Sequence, residues 1–150
     1  MISVNLIGFI HGNIITLFEV ILWNKRLWCE FFPLHATRKP ENDAYHLFLA
    51  IAYFIPFIPL ITVGLIGLID FLYGGVFVWL LNDILWQFYA IRPRDWVKWI
   101  KYYFNPYDNS LLWYARLGIK MVKVTPRRMF YVTIARTIFL LICFLVRVFY

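Results

Sequence analysis

Hydrophobic residues run almost unbroken through residues 44–91, AYHLFLAIAYFIPFIPLITVGLIGLIDFLYGGVFVWLLNDILWQFYAI, where Asp70 and Asp83 carry the only formal charges. As one helix rising about 1.5 Å per residue, this run would reach about 70 Å, over twice the roughly 30 Å of a bilayer's hydrocarbon. It therefore has to fold back. Lipid offers no partner to bare backbone N–H and C=O groups, so each leg must be helical. The pattern predicts a transmembrane hairpin that turns between Gly64 and Gly75, with legs over residues 45–66 and 70–91. Pro56 and Pro59 fall inside the first leg. Each proline removes an N–H and crowds the carbonyl four residues back, so this leg should kink and leave carbonyls near Ala52 and Ile55 in need of a neighbour.

The flanks are patterned differently. Residues 1–23 are apolar but carry Asn5, His11, Asn13 and Glu19; their length fits a span, and their polar groups also suit a helix in the interface. The first basic residue, Lys25, follows this run, so neither a cleaved secretory signal nor an Arg-rich mitochondrial presequence is expected. Residues 24–43 read as a basic loop, with Trp23, Trp28, Phe31 and Phe32 as interfacial anchors. In residues 91–104, Trp96, Trp99, Ile100, Tyr103 and Phe104 gather within about 140° at 100° per residue. Arg94, Lys98 and Lys101 fall opposite, which predicts a helix lying in the membrane plane. After a turn at residues 105–110, where Asp108 or Ser110 could cap, residues 111–124 predict a second amphipathic helix. Arg116, Lys120 and Lys123, spaced by four and three, would share one stripe of it, with Arg127 and Arg128 just beyond. Residues 129–150 are long enough for a final span, from which Arg147 can snorkel outward while Arg136 lies deeper.

Composition fixes the solvent. With 63% hydrophobic residues, a mean hydropathy of +0.70 and 15% charged residues, against roughly 25% charged in soluble domains, the chain belongs in lipid. The expected fold is all-α integral membrane: one polytopic domain with three or four spans and amphipathic interfacial helices over residues 92–128. Net charge is +7, and nine of the fifteen Lys and Arg lie in residues 92–128. Arg92, Arg94, Lys98, Lys101, Arg116, Lys120, Lys123, Arg127 and Arg128, with Trp96 and Trp99, are therefore assigned to lipid headgroups and the interface. Anionic phospholipid is the expected counter-charge and an acidic partner subunit the second; nucleic acid is not expected, because membrane depth accounts for the tryptophans. Basic clusters on both sides of the hairpin belong to one face, cytoplasmic or matrix, with the hairpin turn and C-terminus opposite.

Asp83 lies eight residues from Ile91 and Arg136 eight from Arg128, so both sit about 12 Å from the same face. Charges at matched depth in lipid invite an ion pair, here structural rather than catalytic. The ionisable residues His11, Glu19, Asp70 and Asp83 also open a reading as a small ion- or proton-conducting protein, although one short chain has few helices to wall a pore. No zinc-protease, paired-acid or phosphate-loop motif is present, and Cys29, Cys143, His35 and His46 have no ligand spacing, so neither an enzyme nor a metal site is expected. Bound phospholipid is the only expected cofactor. The resulting expectation is a non-catalytic structural or assembly subunit packed among other integral membrane subunits. An accessory subunit of an energy-transducing complex of the mitochondrial inner membrane, respiratory chain or ATP synthase, comes first; an inner-membrane component of a bacterial secretion or conjugation machine is the alternative.

Overall fold

The computed structural model describes residues 2–30, 45–117 and 120–149. The anchors assigned to Phe31 and Phe32, and the loop around Arg38 and Lys39, lie outside the described residues. Helices α1 (Ile2–Asn24), α2 (Tyr45–Ala52), α3 (Leu65–Ala90), α4 (Trp96–Tyr103) and α5 (Pro126–Phe149) carry the chain, with a 3-10 segment at Ile55–Val63 and one antiparallel strand pair, β1 (Trp113–Leu117) and β2 (Lys120–Val124). Three helices, α1, α3 and α5, are long and apolar enough to cross a bilayer; α2 and the 3-10 segment, bent by 47°, make a fourth if together they form one span. The protein is thus a mostly helical integral membrane protein, as the hydrophobic pattern predicts.

The central hairpin turns at Gly64, whose backbone (φ 83°, ψ −156°) is open to glycine almost alone. Helix α3 consequently starts at Leu65, five residues before the predicted leg, and its 26 residues extend about 39 Å. Glycines then form a track for the first leg. A Cβ on Gly67 would stand 1.9 Å from the Leu60 carbonyl oxygen, one on Gly74 2.6 Å from the Phe57 ring, and one on Gly75 2.1 Å from the Phe54 ring.

Pro56 and Pro59 do more than kink that first leg. The α-helix stops at Ala52 and the chain resumes as a 3-10 segment, in which the Phe57 N–H reaches the Phe54 carbonyl at 3.0 Å. Proline at position 56 deprives the Ala52 carbonyl of its helical donor, and His11 of α1 supplies one instead, with Nε2 at 3.0 Å. A carbonyl only accepts, so Nε2 carries the proton. At about 1.5 Å per α-helical and 2.0 Å per 3-10 residue, the broken leg still covers about 30 Å, a hydrocarbon thickness.

Contacts along α3 set the directions. Gly8 and Gly12 of α1 approach Phe77 and Leu81, while Val20 reaches the cluster around Ala90 and Ile91, so α1 runs parallel to α3. On α5, Arg136 meets Asp83 and Arg147 meets Asp70, so that helix runs antiparallel. Helices α1 and α5 pack chiefly on α3 rather than on each other.

At the shared end of α1 and α3 the chain builds a small core. The Trp28 and Cys29 N–H groups donate to the Tyr89 and Ala90 carbonyls at 2.9 and 2.7 Å, satisfying acceptors that the end of α3 leaves open. Reaching them takes Lys25 and Trp28 into left-handed conformations, φ 59° and 52°. Val20, Ala90, Ile91, Trp99, Tyr103, Leu112, Val124 and Met129 fill the space beneath. Two expectations fail here. Trp113–Leu117 and Lys120–Val124 form an antiparallel strand pair instead of an amphipathic helix, because the chain alternates and carries Val122 and Val124, which suit a pleated surface: Trp113 and Val124 are register partners that both pack on the core. The proposed basic stripe is therefore split, with Lys120 and Lys123 on opposite faces of β2. The Asp108 side chain caps no helix; its carboxylate accepts the Ser110 N–H at 2.7 Å and closes a turn before the strand.

Candidate functional site

The chemistry of this chain concentrates where α1, α2, α3 and α5 meet. Asn82 of α3 is fully surrounded: its Nδ2 donates to Thr16 Oγ1 at 3.2 Å and to Glu19 Oε2 at 2.9 Å, both on α1. Its Oδ1 accepts the Tyr53 hydroxyl of the first leg at 2.8 Å. Those partners fix the amide's orientation, since a carboxylate can only accept and so faces the NH2. On the next residue of α3, Asp83 meets Arg136 of α5, whose guanidinium also lies over the Trp79 ring, 4.0 Å from its centroid. Both side chains of the pair are largely withdrawn from the surface, 16% and 14% exposed.

A second pair stands further along the same interface. Arg147 Nε lies 3.4 Å from Asp70 Oδ1, so α3 and α5 are joined at two levels. The carboxylates are 13 residues apart and the guanidiniums 11, about 20 and 17 Å of helix, which is why two antiparallel helices bring both pairs into register. Depth matching selects Asp83 with Arg136. The same arithmetic, carried one step further, would have paired Asp70 with Arg147, for which the sequence reading expected only snorkelling. Asn82, Thr16, Tyr53 and Trp79 went unnoticed because none is charged. The available signal was that an amide inside a span has no water and must bond to another helix.

Toward the basic end, α1 and α3 are tied again. The Tyr89 hydroxyl donates to Asn13 Oδ1, and Trp99 Nε1 donates to Gln87 Oε1. Trp99 is fully buried and Tyr103 nearly so, stacked in a run of rings that includes Trp86, Tyr102 and Trp113. Burial, reinforced by the carboxylates of Asp83 and Glu19, holds the Tyr103 hydroxyl well above the usual phenolic range. The lipid assignment of Trp99 is therefore corrected: the aromatic side of α4 faces the protein's own core, while Val97, Lys98 and Lys101 face outward. Trp96 is half-buried and its indole N–H reaches the Ile91 carbonyl at 2.7 Å.

The basic residues divide likewise. Arg92 contacts Glu30 at 2.7 Å and Asp95 at 2.9 Å, and Arg94 stands 3.7 Å from Glu30, so these two arginines meet carboxylates of their own chain rather than awaiting headgroups. Lys120, Lys123, Arg127 and Arg128 are exposed, and among the described residues none of these four meets a carboxylate within 4.0 Å. Arg116 pairs through its backbone with Met121. Pro56 and Pro59 sit at the break in the first leg. Among the described residues, no three His, Cys, Asp or Glu side chains converge as a metal site would require. No family model, curated protein or solved structure matches this chain.

Proposed function

We propose that this protein is a non-catalytic structural subunit of a larger multi-subunit membrane assembly. The observation that carries the reading is the engagement of the ionisable groups inside the spans. Asp83 with Arg136, Asp70 with Arg147, Glu19 with Asn82 and His11 with the Ala52 carbonyl all join one helix to another, which is what a scaffold needs. The surface left for partners is large. On α5, Tyr131, Ile134, Ile138, Leu141, Leu145 and Val148 are exposed at alternating spacings of three and four, the seam against which another helix packs. The compact basic end sets the depth of the chain against anionic headgroups. Small, basic polytopic subunits occur in energy-transducing complexes of the mitochondrial inner membrane, and by that analogy of class the first assignment is an accessory subunit there, with a bacterial secretion assembly second.

Solubilisation in a mild detergent, native electrophoresis and mass spectrometry test this reading. The protein is expected in one band of fixed stoichiometry with other integral membrane subunits, and an Ile138→Cys variant is expected to crosslink to one of them. Recovery as a lone, monodisperse species contradicts it. Proton movement is the second reading, favoured by the chain Glu19, Asn82, Tyr53; reconstituted flux abolished by Glu19→Gln would put it first.

A further inference from the structure

A shallow groove of about 510 Å³ opens at the start of α5. It is lined by Arg127 and Arg128 and, over the next two turns of the same helix, by Tyr131, Val132 and Ala135. The change from cation to hydrocarbon takes place along one side of α5 over eight residues, about 12 Å of helix, so a phosphate held at the arginines leaves its acyl chain room to run along the same side.

The two arginines are held in place without being neutralised. Arg127 leans over the Tyr131 ring, 5.9 Å from its centroid, and Arg128 Nη1 donates to the Lys123 carbonyl at 3.3 Å. The helix end itself is already occupied: the Arg127 N–H reaches the Asp108 carbonyl at 2.9 Å and the Arg128 N–H reaches Thr125 Oγ1 at 3.2 Å. An anion here would therefore be met by guanidinium groups and not by open backbone donors. Asn109 and Thr125 complete the rim with neutral groups able to bond ester or glycerol oxygens. Charge at one end and an apolar helix side beyond it match one occupant.

We infer that this groove binds one molecule of an anionic glycerophospholipid, its phosphate on Arg127 and Arg128 and its upper acyl chain along Tyr131, Val132 and Ala135. The inference rests on the chain lying in a membrane and is independent of any partner subunit. Its test uses the purified full chain alone. In dodecyl maltoside, the protein is equilibrated with equal amounts of phosphatidylglycerol and phosphatidylcholine of matched chains, and retained lipid is read by native mass spectrometry. One phosphatidylglycerol per chain is expected in preference to phosphatidylcholine. R127Q/R128Q should lower that preference about thirtyfold, or about 2 kcal/mol for two basic side chains. K120Q/K123Q, which removes the same charge nearby, should change it less than threefold. A135L, which adds bulk to the lining where the acyl chain would lie and leaves the charge intact, should abolish retention. Equal loss in K120Q/K123Q would reduce the site to diffuse basicity and overturn the inference. So would full retention in A135L, or displacement by glycerol 1-phosphate as effective as by the whole lipid.

Discussion

Replacing Asp83 by asparagine isolates the cost of the deeper ion pair. The guanidinium of Arg136 cannot shed its proton, so in D83N it remains charged inside the bundle. An unpaired arginine near mid-bilayer costs about 2.5 to 3.5 kcal/mol on insertion scales, and the Trp79 ring, 4.0 Å away, returns about 0.5 to 1 kcal/mol. The expected net loss is about 1.5 to 3 kcal/mol. R136Q removes the other partner and should cost a similar amount at neutral pH, but an abandoned carboxylate can take up a proton. The penalty of R136Q can therefore be relieved by protonation, whereas that of D83N cannot. D83L/R136L removes both charges and should return to within about 1 kcal/mol of wild type, since an apolar pair of similar volume replaces a buried ion pair at little cost. Reversible unfolding in mixed dodecyl maltoside and SDS micelles, followed by far-UV circular dichroism, measures all four proteins. Strict additivity of the two single effects in D83N/R136Q, or a D83N protein as stable as wild type, would refute the pairing argument.

Four further outcomes follow from the same geometry. D70N should cost under about 1 kcal/mol in that assay, because Arg147 sits near the end of α5 and can reach the headgroups when its 3.4 Å contact is lost. H11F should cost about 1 to 2 kcal/mol by orphaning the Ala52 carbonyl, and the penalty should shrink in a P56A background, where residue 56 regains an N–H; a double-mutant cycle reads the coupling. Q87L should cost about 1 to 3 kcal/mol by leaving the buried Trp99 indole N–H without its acceptor, with a blue-shifted tryptophan emission if the core stays closed. Tyr103 should stay un-ionised as the pH rises past about 10, where an unfolded tyrosine titrates, so this group's share of stability is intact below pH 10 and declines above it; absorbance at about 295 nm, compared with Y103F, checks the sign.

The membrane part of the fold was legible because lipid imposes so few solutions. A charge-poor run too long for one crossing must turn back, and two prolines must open its first leg; the sequence even named Ala52 as a carbonyl in need, though not His11 as its donor. The pairing of Asp83 with Arg136 was equally readable from depth alone. The surface layer was not. Residues 111–124 place cations at spacings of four and three, which a helix would gather, but alternation and β-branching prevail once Trp113 and Val124 can close over a core formed by α1, α3 and α5. That core was also what misdirected the reading of Trp99: aromatic residues near a membrane boundary suit an interface as well as an interior, and only the placement of Gln87 decides between them.

The central claim is that the chain threads the bilayer with its basic, packed end on one side and the Gly64 turn on the other. Single cysteines introduced at the exposed positions Arg26, Lys101 and Thr62, with Cys29 and Cys143 replaced by alanine, test it in sealed membranes with an impermeant maleimide. The account predicts that positions 26 and 101 label from one side and position 62 only from the other. Labelling of 26 and 101 from contrary sides, or of all three from the same side, would contradict it.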